Sequence, residues 1–522
     1  MNKKSEIAKI IKGRESLTMR LFYEGLLVGL IAGSICIGYR LLLTYAESIY
    51  FMAAAFVRTH LVYIVLWFLG LALLGFIISK FMEWEPYIGG SGIPQVEAEV
   101  QGHIDQCWWR VIFAKIFAGS LSVLGGLSLG REGPSIQLGA MAAKGLSQSQ
   151  KRTKTEERFL MTCGAAAGLS AAFNAPLAGI MFALEEVHKN FSTAAMVSVM
   201  CASVVADFIS SNVFGLSPTL HFAIHSTLRL YDYGWVILLG IVAGLAGAFY
   251  NTATLKTIEF YKKVPFLKKS QYVLIPLMVS GVLGLYLPLV MGGGHHLVEY
   301  LNEPHLMMRT LVVLLIAKFA FSTLSFGSGT AGGIFFPLLI IGSLIGAIFG
   351  KLAIMAGVPE LYFMNFIILA MSAYFAAIVR APITGIVLIA EMSGTLKMLL
   401  PIALVSFVAY FVANLLHSEP IYEGLMNNLL KNKKPEDEEF DIVNQKEMVA
   451  YTISLGSDAA DLMIKDLSLP AHCLIVSIVR GQREIIPKGH TKLYIGDRVI
   501  VLLDKYHIDE TKMSLEQIFT FN

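Results

Sequence analysis

Charge is scarce in this sequence. Asp, Glu, Lys and Arg make up 15% of its 522 residues, against roughly 25% in an ordinary soluble domain. The net charge of +3 is too small to argue for nucleic acid. Cysteine is scarcer still: Cys36, Cys107, Cys163, Cys201 and Cys473 are odd in number and widely scattered, which speaks against a disulfide framework or a metal site and leaves buried thiols as the ordinary reading. His472, His490 and His507 lack a metal-ligand spacing, and Lys488-Gly489-His490-Thr491 is no phosphate loop. With no Ser/His/Asp set either, neither an enzyme nor a cofactor is expected. The first 15 residues are too charged for the apolar core of a signal peptide. Lys3, Lys4, Lys9, Lys12 and Arg14 are expected to keep this end cytoplasmic.

Apolar sequence is abundant, at 55% of residues. It falls in runs at about 20 to 38, 50 to 80, 111 to 129, 158 to 184, 193 to 209, 233 to 249, 272 to 291, 308 to 326, 334 to 356, 362 to 378 and 398 to 416. Several exceed the ~20 residues a membrane helix needs. Others are shorter or broken by Gly and Pro, which membrane depth tolerates only where protein or a water-filled cavity satisfies the freed backbone. The chain reads as a polytopic membrane protein with helices of unequal length, some ending inside the bilayer.

The character changes near residue 431, where the charged run to residue 440 reads as a linker. Beyond it, residues 441–522 read as a small α/β unit expected in the cytoplasm: Met448 to Leu455, Cys473 to Val479 and Arg498 to Leu503 as strands, Ala459 to Leu467 with helical spacing.

The membrane part repeats itself. Residues 114 to 134 align without gaps to residues 317 to 337, matching Ala114, Lys115, Leu121, Ser122, Gly126, Gly130 and Pro134 to Ala317, Lys318, Leu324, Ser325, Gly329, Gly333 and Pro337. Gly139 and Gly342 follow five residues after the prolines. Residues 174 to 186 resemble 380 to 392, with Glu185 and Glu391 each ten residues after an Ala-Pro alanine, so a shared structural or capping role suits these two acids. Matched interrupted segments in two halves point to a transporter or channel with its site between the repeats, although glycine-rich helices also pack closely for their own sake. Whether the halves are parallel or inverted is not readable from the alignment.

Three motifs carry the site: Gly90-Ser91-Gly92-Ile93-Pro94, Gly130-Arg131-Glu132-Gly133-Pro134 and Gly333-Ile334-Phe335-Phe336-Pro337. Glycine lets backbone N–H groups approach a ligand, and proline suits a first helical turn. Each motif therefore feeds a helix N-terminus, whose partial positive charge and unsatisfied donors suit an anion. Glu132, an acid among apolar stretches, is costly enough to be a site hypothesis in itself.

Together, in this order and spacing, these motifs resemble the CLC family of chloride channels and proton-coupled chloride transporters over residues 20 to 430. The resemblance implies an all-α polytopic membrane fold of two inverted repeats, about 20–212 and 230–430, working as a homodimer in a cell membrane with both termini cytoplasmic. It implies chloride held by the hydroxyls of Ser91 and Tyr422 and the amides of Ile334 and Phe335, with Glu132 as a gate. Glu186 matches the internal proton-transfer acid of the family's exchangers, and serine at position 91 goes with chloride selectivity. The leading expectation is proton–chloride antiport. Alternatives are a passive chloride channel and a membrane-bound anion sensor signalling through its tail.

Blander roles stay open for each residue: an interfacial belt tyrosine for Tyr422, an ion pair with Arg131 for Glu132, a solvated acid for Glu186, a core or lipid-facing ring for Phe335. Lys115 and Glu97 are expected as a buried pair, and Lys318 as a snorkelling lysine. The tail resembles the RCK C-terminal domain, on Leu469-Pro470, Ile485-Ile486-Pro487, Gly489, Thr491 and Gly496-Asp497-Arg498. That implies a dimerisation module or one that takes a small regulatory ligand.

Overall fold

The computed structural model describes residues 3–189, 193–216, 220, 228–265, 267–302, 306–431, 446–454, 456–470, 473–480, 483–504 and 508–520. Linker residues 432–440, together with His472 and His507, lie outside that set. The chain divides into two compact units, Met1–Leu430 and Lys431–Asn522.

The first unit is helical. Its first half comprises α1 (Lys3–Thr59), α2 (Ile64–Trp84), α3 (Ile93–Gln101), α4 (Trp108–Leu124), α5 (Glu132–Ser149), α6 (Lys154–Phe173), α7 (Pro176–Phe182) and α8 (Thr193–Phe214). A second half follows the same pattern with α9 (Tyr233–Lys262), α10 (Leu274–Tyr286), α11 (His295–Leu301), α12 (Met308–Gly327), α13 (Phe335–Met355), α14 (Phe363–Val379), α15 (Pro382–Ser393) and α16 (Leu399–Leu415). Helix α17 (Ile421–Leu430) closes the unit. Packing repeats as well: α1 lies on α4, α6 and α8 as α9 lies on α12, α14 and α16, and α5 lies on α6 as α13 lies on α14. Among the described residues, seven helices are long and apolar enough to cross a membrane, so this is a multi-pass membrane protein, built of two repeats.

Several apolar runs are partitioned differently from expectation. The run from 20 to 38 belongs to one continuous helix reaching Thr59, and the run from 50 to 80 is broken at His60. The run from 158 to 184 breaks before Ala175-Pro176, where Asn174 turns left-handed at φ 52°, as Arg380 does at φ 70° before Ala381-Pro382. A residue preceding proline resists helical geometry, and here the chain reverses instead of kinking. Gly139 and Gly342 are packing glycines: a Cβ on Gly139 would press on the Gly164 carbonyl, and one on Gly342 would meet the Met371 Cα at 3.0 Å.

Each half completes the other. The Glu185 carboxylate accepts from the amides of Ile383 (3.3 Å) and Thr384 (2.7 Å) and from the Thr384 hydroxyl (2.7 Å) at the start of α15. Glu391 accepts from Leu177 (3.0 Å) and Ala178 (2.7 Å) at the start of α7. The two acids cap each other's repeat. Gly130 and Gly333 exchange both backbone hydrogen bonds, at 2.6 and 2.8 Å, and Gly90 N donates to Gly329 O at 3.0 Å as Gly292 N does to Gly126 O at 3.3 Å. Such reciprocity is the signature of a two-fold relation.

The second unit carries a four-stranded antiparallel sheet in the order β1–β4–β2–β3. Its strands are β1 (Lys446–Thr452), β2 (Cys473–Arg480), β3 (Arg483–Ile485) and β4 (Arg498–Asp504), and α18 (Ile508–Phe519) packs on the sheet through Leu515 and Phe519. The stretch Ala459–Leu467 is not an α-helix. Its amides bond instead to distant carbonyls, Ala459 N to Ile518 O, Asp461 N to Leu493 O and Ile464 N to Thr491 O, so tertiary pairing overrides local spacing. Burial alone would raise the Asp497 carboxyl, but the Arg480 guanidinium at 2.7 Å and the Tyr494 amide hold it below the ordinary range. That contribution is present at neutral pH and is lost as acidification passes through the lowered value.

Truncating a reciprocal cap strands two N–H groups in an apolar setting. Glu391→Ala is expected to cost about 1–2 kcal/mol, read as a lower thermal midpoint in detergent, with no loss for an exposed control such as Lys256→Ala.

Candidate functional site

Three helix N-termini meet where the motifs predict them. Ile93 and Pro94 begin α3, Glu132 begins α5 with Pro134 in its first turn, and Phe335 begins α13 with Pro337 in its first turn. The first intrahelical bonds run from Ser135 N to Arg131 O and from Leu338 N to Ile334 O. They leave the amides of Glu132, Gly133, Phe335 and Phe336 outside the ladders, as every helix start must. Close approach needs the glycines: a Cβ on Gly133 would overlap the Ser91 hydroxyl, and one on Gly333 would sit 3.2 Å from Gly133 N.

The polar side chains around this junction are buried and unsatisfied. Ser91 Oγ, Tyr422 OH, both Glu132 carboxylate oxygens and Glu186 Oε1 have no hydrogen-bond partner. Orphaned buried polar atoms are rare and each calls for an explanation. Tyr422, the second residue of α17, is wholly buried within electrostatic reach of Ser91, Glu186 and Glu132, so it is not an interfacial belt residue. The Phe335 ring packs against Phe173, Phe182 and Phe375 at 5.4, 5.8 and 4.8 Å between centroids. It is a core ring and does not face lipid. Ile334 is buried as well.

Glu132 is fully buried, with Arg131 Nε 3.7 Å from its Oε1, so the ion pair weighed from the sequence is present but long. Its other oxygen lies toward α13: a Cβ on Gly130 would find Glu132 Oε2 at 2.5 Å and Phe336 N at 3.1 Å. The carboxylate thus stands at a helix start that an anion would also favour.

Glu186 lies in a wide turn, Ala183–Val187, closed by His188 N donating to Ala183 O at 2.8 Å. Such π-turns concentrate at functional sites. Beside it Lys189, with φ 51°, bridges Glu97 Oε1 at 2.5 Å and Glu423 Oε1 at 3.0 Å. The expected Lys115–Glu97 pair does not form. Lys115 Nζ instead donates to the carbonyls of Ile88 (2.7 Å) and Gly90 (2.8 Å), and Lys318 Nζ to those of Val290 (2.9 Å) and Gly292 (2.8 Å). Loops that turn inside an apolar medium strand carbonyls, and a buried ammonium with three donors can gather two. Lys318 is wholly buried for that reason and does not snorkel.

A second group of unpartnered atoms escaped the sequence reading. Glu47 and His295, neither singled out from the sequence, line one small cavity with Arg131 and Glu132, on the side of α1 nearer its C-terminus. The signal was available in Gly292-Gly293-Gly294-His295, the second-half counterpart of Gly90-Ser91-Gly92-Ile93. Lys189 and Glu423 were also missed.

Residues 70–414 match the family model described as voltage gated chloride channel. The chain belongs to this family. Residues 448–515 match the TrkA-C domain. The family member described as the H(+)/Cl(-) exchange transporter ClcA of Vibrio cholerae serotype O1 (strain M66-2) is 35% identical over 384 residues, 70% of this chain and 82% of its own. A slow cyanobacterial Cl-/H+ antiporter superposes with a TM-score of 0.73 at 29% identity, covering 79% of this chain and 99% of that one. A CLC-type fluoride/proton antiporter shares the family's fold, with a TM-score of 0.64 at 24% identity over 78% of this chain and 97% of its own.

Removing the Lys189 cation leaves Glu97 buried beside Glu186. Lys189→Met is expected to destabilise the protein by about 2 kcal/mol, below the roughly 3–5 of a fully enclosed pair because Lys189 is 36% exposed. Lys189→Met combined with Glu97→Gln should recover most of that loss in a thermal double-mutant cycle.

Proposed function

We propose that the protein is a proton-coupled chloride antiporter of the cell membrane, with both termini cytoplasmic. The observation that carries this reading is the pair of buried acids, Glu132 and Glu186, both within electrostatic reach of Tyr422, with unpartnered oxygens on both acids, Ser91 and Tyr422. Chloride would be held by the Ser91 and Tyr422 hydroxyls and the amides of Ile334 and Phe335, with Gly90, Gly92, Ile93, Pro94, Gly130, Arg131, Gly133, Pro134, Gly333 and Pro337 shaping the helix starts. The carboxylate of Glu132 and a chloride ion are both monovalent anions drawn to the same donors, so one displaces the other. Protonation neutralises Glu132 and frees the donors for chloride. Exclusion at a shared site is the coupling.

Glu186 relays protons to the cytoplasmic side. Its neighbours Glu97 and Glu423 share Lys189, which offsets one of their two negative charges. Relatives named as chloride–proton exchangers support the substrate assignment. Met196, Met200, Val204 and Phe208 expose an apolar stripe along α8, which suits a second copy in a homodimer or the surrounding lipid. The tail would take a small regulatory ligand and leave the pathway itself intact.

Flux into liposomes with both ions recorded is the test. A chloride gradient should drive uphill proton movement in the wild type. Glu132→Ala should keep chloride flux and lose coupled protons, and persistent coupled pumping would refute the gate. Glu186→Gln should lose proton transport by about a hundred-fold or more, and a wild-type coupling ratio would remove it from the relay. Deletion of residues 436–522 should leave basal exchange unchanged, and loss of exchange would make the tail part of the pathway.

A further inference from the structure

The small cavity lined by Glu132 and not by Glu186 holds a group that the antiport scheme does not use. Leu43, Thr44 and Glu47 of α1, the Gly130–Glu132 turn, Gly293, His295 and Phe336 enclose about 20 Å³, room for roughly one water. His295 stacks on the Phe336 ring at 4.2 Å and 18°, and Phe336 is the residue whose amide faces the Glu132 carboxylate. Both His295 ring nitrogens are buried without a hydrogen-bond partner, as are Glu47 Oε1, Arg131 Nε and both Glu132 oxygens. An imidazole whose two nitrogens are both unengaged, held against the wall it shares with a buried carboxylate, is costly to keep for packing alone.

We propose that His295 relays protons between the outer solution and Glu132. The inference rests on the antiport reading above. A neutral imidazole carries one N–H and one bare nitrogen, so it takes a proton, handed in by water that enters the cavity, on the bare nitrogen and releases one from the other. The released proton reaches the Glu132 carboxylate through a single water, and the ring is left neutral in its other tautomer. Arg40, Arg131, His296 and Lys318 bear on the ring as positive or protonatable neighbours. Glu47 and Glu132 face the same cavity as acids. Thr44 gives its hydroxyl to Arg40 O and the Arg131 guanidinium has no acceptor nitrogen, which leaves His295 as the nitrogen relay of the cavity.

His295→Phe keeps the stack on Phe336 and removes both nitrogens. In liposomes its exchange is expected to be about ten-fold slower than wild type at neutral external pH. It should converge on wild type as external pH falls and hydronium loads Glu132 directly, with the chloride-to-proton ratio unchanged. External imidazole should restore flux in His295→Ala. His295→Gln, which packs differently, should show the same pH-dependent deficit and serves if the phenylalanine variant misfolds. A wild-type rate and pH profile in these variants, or a deficit equal at every external pH, overturns the relay and leaves antiport standing. A wild-type protein that moves chloride without protons overturns both.

Discussion

The fold depends on one obligation: backbone donors and acceptors freed by broken helices must find partners where there is little water to supply them. Neither half can meet it alone. The start of α7 is capped by an acid from the second half and the start of α15 by one from the first. The loops before α5 and α13 hydrogen-bond to each other through Gly130 and Gly333. Because those contacts are made between the copies, the helix starts converge at the interface, and the proposed anion site exists only once the halves have joined.

Duplication supplies the scaffold, and the chemistry sits where the copies differ. Matched positions are structural: Lys115 with Lys318, Gly126 with Gly329, both at φ 73°, and Glu185 with Glu391. Unmatched positions carry the proposed functions. Glu132 stands where the second half has Phe335, Ser91 where it has Gly293, Glu186 where it has Met392, and His295 where the first half has Ile93. Tyr422 comes from α17, which has no counterpart. A strictly symmetric pair would have two gates or none. Divergence at a few side chains turns a two-fold interface into a path with two different ends.

What was legible beforehand follows the same division. Glycine, proline and small-residue patterns are local, so the repeats, the three helix starts and a shared role for Glu185 and Glu391 could be read from spacing. Partners some two hundred residues apart could not. Lys115 looked like a mate for Glu97 because both are charged residues in apolar sequence, yet the ammonium is taken by two carbonyls and Glu97 by Lys189, whose left-handed backbone no pattern announced. The continuity of α1 past residue 38 was hidden by polar positions that face protein, such as Arg40, which reaches Asn174 Oδ1 at 2.5 Å. In the tail, the helical spacing at Ala459–Leu467 lost to hydrogen bonds with the last helix and the loop before β4.

The placement of the two buried lysines bears on how an anion can be held without being trapped. The carbonyl of Gly90 and the N–H of Ser91 belong to one peptide unit, as do the carbonyl of Gly292 and the N–H of Gly293. An ammonium at 2.8 Å from each of those oxygens polarises the peptide, making the N–H on its other side a stronger donor. The cation is thereby felt at the junction through the backbone, while its own charge stays behind the loop. A lysine in direct contact with chloride would bind it tightly and slow its release. Charge delivered through oriented peptides attracts more weakly, and a permeating ion must both enter and leave. On this argument the lysines are duplicated because both loops need their carbonyls gathered, and the transport path inherits a moderate field from a structural necessity.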